Sequence, residues 1–327
     1  MFDIRLIGSL SGEPALSTES VAALLARERV PLRRGTAFMG RPGTALFCDG
    51  TLLAKLHEDW EWARPAMEKW AQKALERERA YAVHHPAKTW FLAERRADGR
   101  LFIGNACPLL EPLHLRLSEP PADAGERERR AAWLERLFRT YTALGRTHGV
   151  RLDEGLSNFG LDKAGALHYL DDEFYAWDDL ASLAPMVGTW FRACAAFDAE
   201  FGGRLGGILR AVLAEAGFDA HALAMVASQA RGLFMPQTEK RAALDAFAAA
   251  LLRAGPAARP APGHGGFGKA RYCALVADVH ANLPALRAVL DFLADHALIW
   301  IGWLGKENGG QKLTGRSALF GREAERE

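Results

Sequence analysis

Residues 149–175 read GVRLDEGLSNFGLDKAGALHYLDDEFY. A carboxylate, Asp153, precedes an amide, Asn158, by five positions, and a second carboxylate, Asp171, follows that amide by thirteen. Between them FGLDKAGALHYL reads as two short strands around a turn at Asp162 to Gly165, residue types that favour tight turns. A hairpin there would return the chain so that Asp171 lies beside Asn158. Amide plus carboxylate is an oxygen-only pair of the kind that suits Mg²⁺, a hard cation that keeps positions open for phosphate oxygens. Asp153 is then left to orient or deprotonate an attacking hydroxyl.

Upstream, RERRAAWLERLFRTYTALGRTHG (127–149) sets Leu134, Leu137, Phe138, Tyr141 and Leu144 at helical spacing, with Gly145 and Gly149 as stops, and predicts a core helix. Further upstream, TWFLAERR, an ADG turn and RLFIGNACPLLE predict a hairpin, and residues 63–84 a long charged helix. Leu32 to Leu56, broken by Gly35, Gly40, Gly43 and Gly50, has the texture of a small antiparallel meander. Ser17 to Val30 predicts a short leading helix with Val21, Leu24 and Leu25 on one face. Downstream, alanine-rich helices from Leu180 to Leu252 carry Phe191, Phe197, Phe201 and Phe234 as expected packing residues.

The chain has 327 residues, 49% hydrophobic and 25% charged, which excludes a disordered protein and leaves room for about two domains. Lys and Arg (41) balance Asp and Glu (40), so no global field draws in nucleic acid or an anionic membrane. Cys48, Cys107, Cys194 and Cys273 form no Cys-x-x-Cys pair and are expected to be reduced thiols. The start, MFDIRLIGSLSGEP, lacks a basic n-region and a long apolar segment, and no run reaches membrane-span length, so a cytoplasmic location is expected. AGPAARPAPGHGGFG (254–268) reads as a linker and sets the expected domains at 1–253, 254–269 (linker) and 270–327.

Asp153, Asn158 and Asp171 in this order resemble the catalytic segment of the protein-kinase-like superfamily, and the resemblance runs from about residue 30 to 250. It implies an α+β fold of two lobes, a small antiparallel-sheet lobe over about 31–110 and a helical lobe over about 111–253. It also implies ATP and Mg²⁺ as cofactors and transfer to an unknown hydroxyl acceptor. Lys55 in TLLAKL takes the place of the phosphate-pairing lysine, and Glu76 that of its helix partner, with Glu78 as the alternative. Gly35, Gly40 and Gly43 would let backbone amides approach the phosphates, Asp153 would be catalytic, and Asn158 and Asp171 would bind metal. The family's His-Arg-Asp is here Arg151-Leu152-Asp153 and its Asp-Phe-Gly is Asp171-Asp172-Glu173, which makes Asp172 a rival metal ligand. The absence of an Ala-Pro-Glu segment favours a small-molecule or atypical acceptor. The altered Asp-Asp-Glu motif also suits a pseudokinase that serves as a binding or regulatory module.

After the linker, RYCALVADVHANLPALRAVLDFLADH (271–296) predicts a buried strand that ends in Asp278-Val279-His280, then a helix opened by Pro284. Asp278 and His280, two apart at a strand end, point to one side and can share a cation. The stretch looks like the first βα unit of a calcineurin-like metallophosphoesterase, which implies Mn, Fe or Zn there in a complete site and phosphate-ester hydrolysis as an alternative function. The tail, WIGWLGKENGGQKLTGRSALFGREAERE, lacks the later ligands of that family, so a truncated unit without phosphoesterase activity is expected.

Overall fold

The computed structural model describes residues 1–13, 15–33, 36–38, 43–153 and 155–253, all within the first of two units into which the chain divides, Met1–Ala258. Gly35, Gly40, Asp278 and His280 lie outside the described residues. The chain opens with strand β1 (Phe2–Ser9), which alternates Phe2, Ile4 and Leu6 inward with Asp3 and Arg5 outward. Helix α1 (Thr18–Leu25) starts where Ser17 accepts a bond from the Ser20 amide, and it buries Val21, Leu24 and Leu25. It stops short of the predicted Val30 because Arg29–Val30, strand β2, pairs with β3 (Thr44–Cys48) at the sheet edge. A turn joins β3 to β4 (Leu52–His57), and Asp49 holds it by accepting from the amides of Thr51 and Leu52. The charged helix α2 (Arg64–Tyr81) follows, then the hairpin β5 (Thr89–Arg95) and β6 (Leu101–Pro108).

These strands form one antiparallel sheet in the order β1-β5-β6-β4-β3-β2. Both faces are covered, so the centre of strand β5, residues 90–93, is apolar without a break: Phe91 and Ala93 face α1, while Trp90 and Leu92 face α2. Met67, Ala71, Ala74 and Leu75 supply the α2 side of that second core. Burial of each large side chain contributes about 1.5–3 kcal/mol. β7 (Glu111–Pro112) and α3 (Leu113–Ser118) then lead into α4 (Ala124–His148). α4 is capped by Asp123 and Glu126, which accept from the Glu126 and Ala122 amides respectively, and it buries the five apolar residues its spacing predicted. Gly149 ends it at φ 65°, a left-handed conformation that favours glycine.

Past that stop come β8 (Val150–Arg151), a 3₁₀ turn (Leu156–Asn158), the hairpin β9 (Phe159–Leu161) and β10 (Leu167–Tyr169), and β11 (Tyr175–Ala176), which pairs with β8. Helices α5 (Leu183–Ala193), α6 (Ala199–Glu215), α7 (Ala220–Gly232) and α8 (Thr238–Leu252) complete the described chain. The architecture is α+β. Phe191, Phe197 and Phe201 enter the helical core as predicted, but Phe234, between α7 and α8, is 79% exposed. Among the described residues no helix is long and apolar enough to cross a membrane.

α6 packs on α8 backbone to backbone: a Cβ on Gly202 would overlap the Ala243 carbonyl, and one on Gly206 the Phe247 carbonyl. Gly206→Ala is therefore expected to destabilise the protein, by about 1–3 kcal/mol or more, despite alanine's better helix propensity. Gly207→Ala, one residue on and with open space around it, should leave stability unchanged or slightly raised. Urea denaturation of the two variants checks the contrast.

Candidate active site

Sheet register builds the site's floor. Lys55 on β4 pairs with Asn105 on β6, which pairs with Trp90 on β5, so the three side chains form one cross-strand row. The row lies on the face covered by α2, and the polar atoms it buries need partners. Two elements supply them. From α2, buried Glu78 accepts a bond from Trp90 Nε1 at 3.0 Å. From the segment after β10, buried Asp172 lies with Oδ2 2.8 Å from Lys55 Nζ and accepts from Asn105 Nδ2 at 3.2 Å. Lys88, just ahead of β5, donates both to Glu78 Oε1 at 2.8 Å and to Asp172 Oδ1 at 2.7 Å. His57 Nε2 stands 3.3 Å from the other Asp172 oxygen.

The two neighbouring acids thus differ in kind. Asp172 is enclosed, with both oxygens engaged by cationic and amide groups, which leaves no room for a metal ion. Asp171 is less enclosed: its side chain is 18% exposed, its Oδ1 accepts from the Asp172 amide at 2.8 Å, and Lys55 Nζ is 3.6 Å away. The backbone is gripped from α2 and its following loop. Arg77 donates to the Asp172 carbonyl at 3.1 Å, and fully buried His84 donates from Nε2 to the Asp171 carbonyl at 2.7 Å. That bond fixes the ring proton on Nε2, and burial holds the imidazole's pKa well below the ordinary histidine value. Arg151 lies 3.1 Å from Asp178 and over the Tyr175 ring.

Asp153 and Asn158 converge. Asp153 Oδ1 accepts from the Gly155 amide at 3.0 Å, and a Cβ on Gly155 would stand 3.1 Å from Asp153 Oδ1 and 3.4 Å from Asn158 Nδ2. The Asn158 carbonyl accepts from the Leu170 amide at 2.8 Å, which seats the amide residue beside the chain entering Asp171. The Tyr169 hydroxyl accepts from the Asp153 amide and donates to the Glu173 carbonyl, tying the two segments together.

Glu76 does not join the cluster. It lies on the exposed side of α2, while Glu78, two residues on, turns inward and bonds to Lys88 rather than Lys55. The alternative helix acid is the buried one because Ala71, Ala74, Leu75 and Glu78 share the inward stripe. Gly43, at φ 82°, packs against Asp59, where a Cβ would meet the carboxylate carbon at 2.5 Å. Lys88, Asn105, His57 and His84 were not legible in the sequence. Each is a single polar residue on or beside a strand, and only pairing across the sheet reveals its partner.

The ammonium groups of Lys55 and Lys88, with the Arg77 guanidinium beside them, meet three carboxylates, Glu78, Asp171 and Asp172. Burial opposes the charge on each, and the outcome differs by position. Asp172 is held well below the usual carboxylate range because Lys55 and Lys88 outweigh burial, whereas burial raises Asp171 and Glu78 despite their lysines. Burial alone would lower the Lys55 ammonium, but Asp172 and Asp171 reverse that and raise it. Comparison of the chain with protein-family models, curated proteins and solved structures finds no match.

Lys88→Met is expected to cost about 3–5 kcal/mol, because it leaves two carboxylates buried without their shared cation. Chemical denaturation measures it. Asp172 titrates lower folded than unfolded (about 3.9), so its contribution is complete above that value and is lost as pH falls through the folded pKa. Asp172→Asn should therefore be less stable at pH 7 and show a shallower loss of stability on acidification, read from unfolding midpoints across that range.

Proposed function

We propose that the chain is an Mg²⁺-ATP-dependent phosphotransferase of the kinase-like superfamily, with a small sheet lobe, a helical lobe and a hydroxyl-bearing acceptor. The observation that carries this is the difference between the paired acids: Asp172 is locked on Lys55 and Lys88, while Asp171, 18% exposed and 3.6 Å from Lys55 Nζ, directly follows Leu170, whose amide bonds the Asn158 carbonyl. Asn158 and Asp171 would hold magnesium with hard oxygens. When bound, the ion supplies charge neutralisation for the phosphates. Lys55, kept cationic and 20% exposed by the two acids, would meet a phosphate oxygen. Asp153, across Gly155 from Asn158, would orient the acceptor hydroxyl and take its proton. Such positioning and charge stabilisation are most of what phosphoryl transfer needs from a protein.

A second reading has an observation of its own. Lys55 is committed to Asp172 at 2.8 Å and Glu78 to Lys88 at 2.8 Å, so the two do not form a lysine–glutamate pair with each other. This arrangement suits a pseudokinase module that binds nucleotide without turnover.

Thermal unfolding with Mg²⁺ and ATP separates these. The parent is expected to be stabilised, and Asp171→Asn to lose the shift. Asp153→Ala should keep the shift but lower ATP turnover, with water as acceptor, by about 10²–10⁴-fold. A shift without turnover in the parent points to the module, and no shift at saturating ATP overturns both readings.

A further inference from the structure

Toward the turn of the β9–β10 hairpin, a second set of donors comes together. His85, in the loop between α2 and β5, meets Asp162 in the hairpin turn and His168 on β10, and one ligand atom from each lies within 4.8 Å of the other two. We propose that these three residues form a binding site for a divalent transition-metal ion of the zinc type, which fastens the α2–β5 loop to the hairpin.

The donor set selects the metal class. Two imidazoles and one carboxylate suit zinc and its borderline neighbours rather than Mg²⁺, and three protein ligands leave a position for water. The geometry is prepared before an ion arrives. Asp162 Oδ1 accepts from the amides of Ala164 and Ala166, at 2.8 and 2.9 Å, which orients the carboxylate and presents Oδ2 to His168 Nε2 at 3.0 Å. The His85 ring stands over His168 with centroids 4.9 Å apart. The side chains are partly exposed, 14% for His168 and 22% for Asp162, so an ion can enter with its water.

The Ala87 amide donates to His85 Nδ1 at 3.1 Å. Coordination through Nε2 moves the ring proton to Nδ1 and gives up that one bond, at a half-buried amide within reach of water. The other three-residue cluster with metal-ligating groups, Glu78, His84 and Asp172, has no such capacity, since Lys88 and Lys55 already fill it. An ion at His85 and His168 would steady Asp171 from two directions: His85 follows the His84 that holds the Asp171 carbonyl, and His168 stands three residues before Asp171. The site is independent of the phosphotransferase reading.

The test uses the full chain stripped of metal with a chelator and titrated with ZnCl₂ by calorimetry and thermal unfolding, with Co²⁺ absorption as the spectroscopic readout of ligand type. Zinc is expected to bind at one site and raise the melting temperature. Loss of even an outer partner of a metal ligand weakens affinity about 10–100-fold, and His85→Ala and His168→Ala should each weaken zinc by at least that. Asp162→Asn, which keeps both amide bonds of the turn, should weaken it without unfolding the hairpin, so the proposal stays testable if His168→Ala does not fold. Asp171→Asn and His280→Ala should bind zinc as the parent does, which separates this site from the candidate active site and from the Asp278–His280 pair. No zinc binding in the parent, or binding unchanged by His85→Ala and Asp162→Asn, overturns the assignment.

Discussion

The Asp172 carboxylate is the constraint on which the described structure turns. It is buried, so it survives as an anion only where cations and donors meet it, and those come from separate elements: Lys55 from β4, Asn105 from β6 and Lys88 from the start of β5. Lys88 carries the connection on to Glu78 of α2. A chain segment from beyond the β9–β10 hairpin is thereby fixed against the sheet and its helix at once. Replacing such a network with apolar residues often costs nothing in stability, so its value here lies in geometry: only one placement of residues 171–173 satisfies every member.

That placement separates adjacent acids. With Asp172 turned inward and its carbonyl and that of Asp171 held by Arg77 and His84, Asp171 takes the less enclosed position, beside the chain that carries Asn158. The enclosed residue and the less enclosed one are chemically identical in sequence. Backbone hydrogen bonds, not side-chain identity, decide between them.

Several parts of this were legible in advance and for local reasons. The α2 and α4 helices, the β5–β6 hairpin and the β9–β10 hairpin follow from apolar periods, caps and turn residues that act over a few positions. The nearness of Asp153 to Asn158 follows from a five-residue spacing across a short turn. Other features depended on partners distant in the chain. The leading helix ends early because an edge strand competes for Arg29–Val30, and Phe234 is exposed because it falls between two helices rather than on one. The first strand, β1, alternates plainly, yet its place beside β5 is a pairing across about 90 residues.

What the sequence determined by itself was the order of elements and the spacing of Asp153, Asn158 and Asp171, since helix faces, caps and turns are written in neighbouring residues. What only the tertiary structure decided was which carboxylate sits on which cation: Glu78 and not Glu76 turned inward, Lys88 and not Lys55 bonded to it, and Asp172 rather than Asp171 enclosed. The reason is that a buried charge is stabilised by groups within about 4 Å. Here those groups come from strands and loops as far apart in the chain as Lys55 and Asp172, whose register no local pattern specifies.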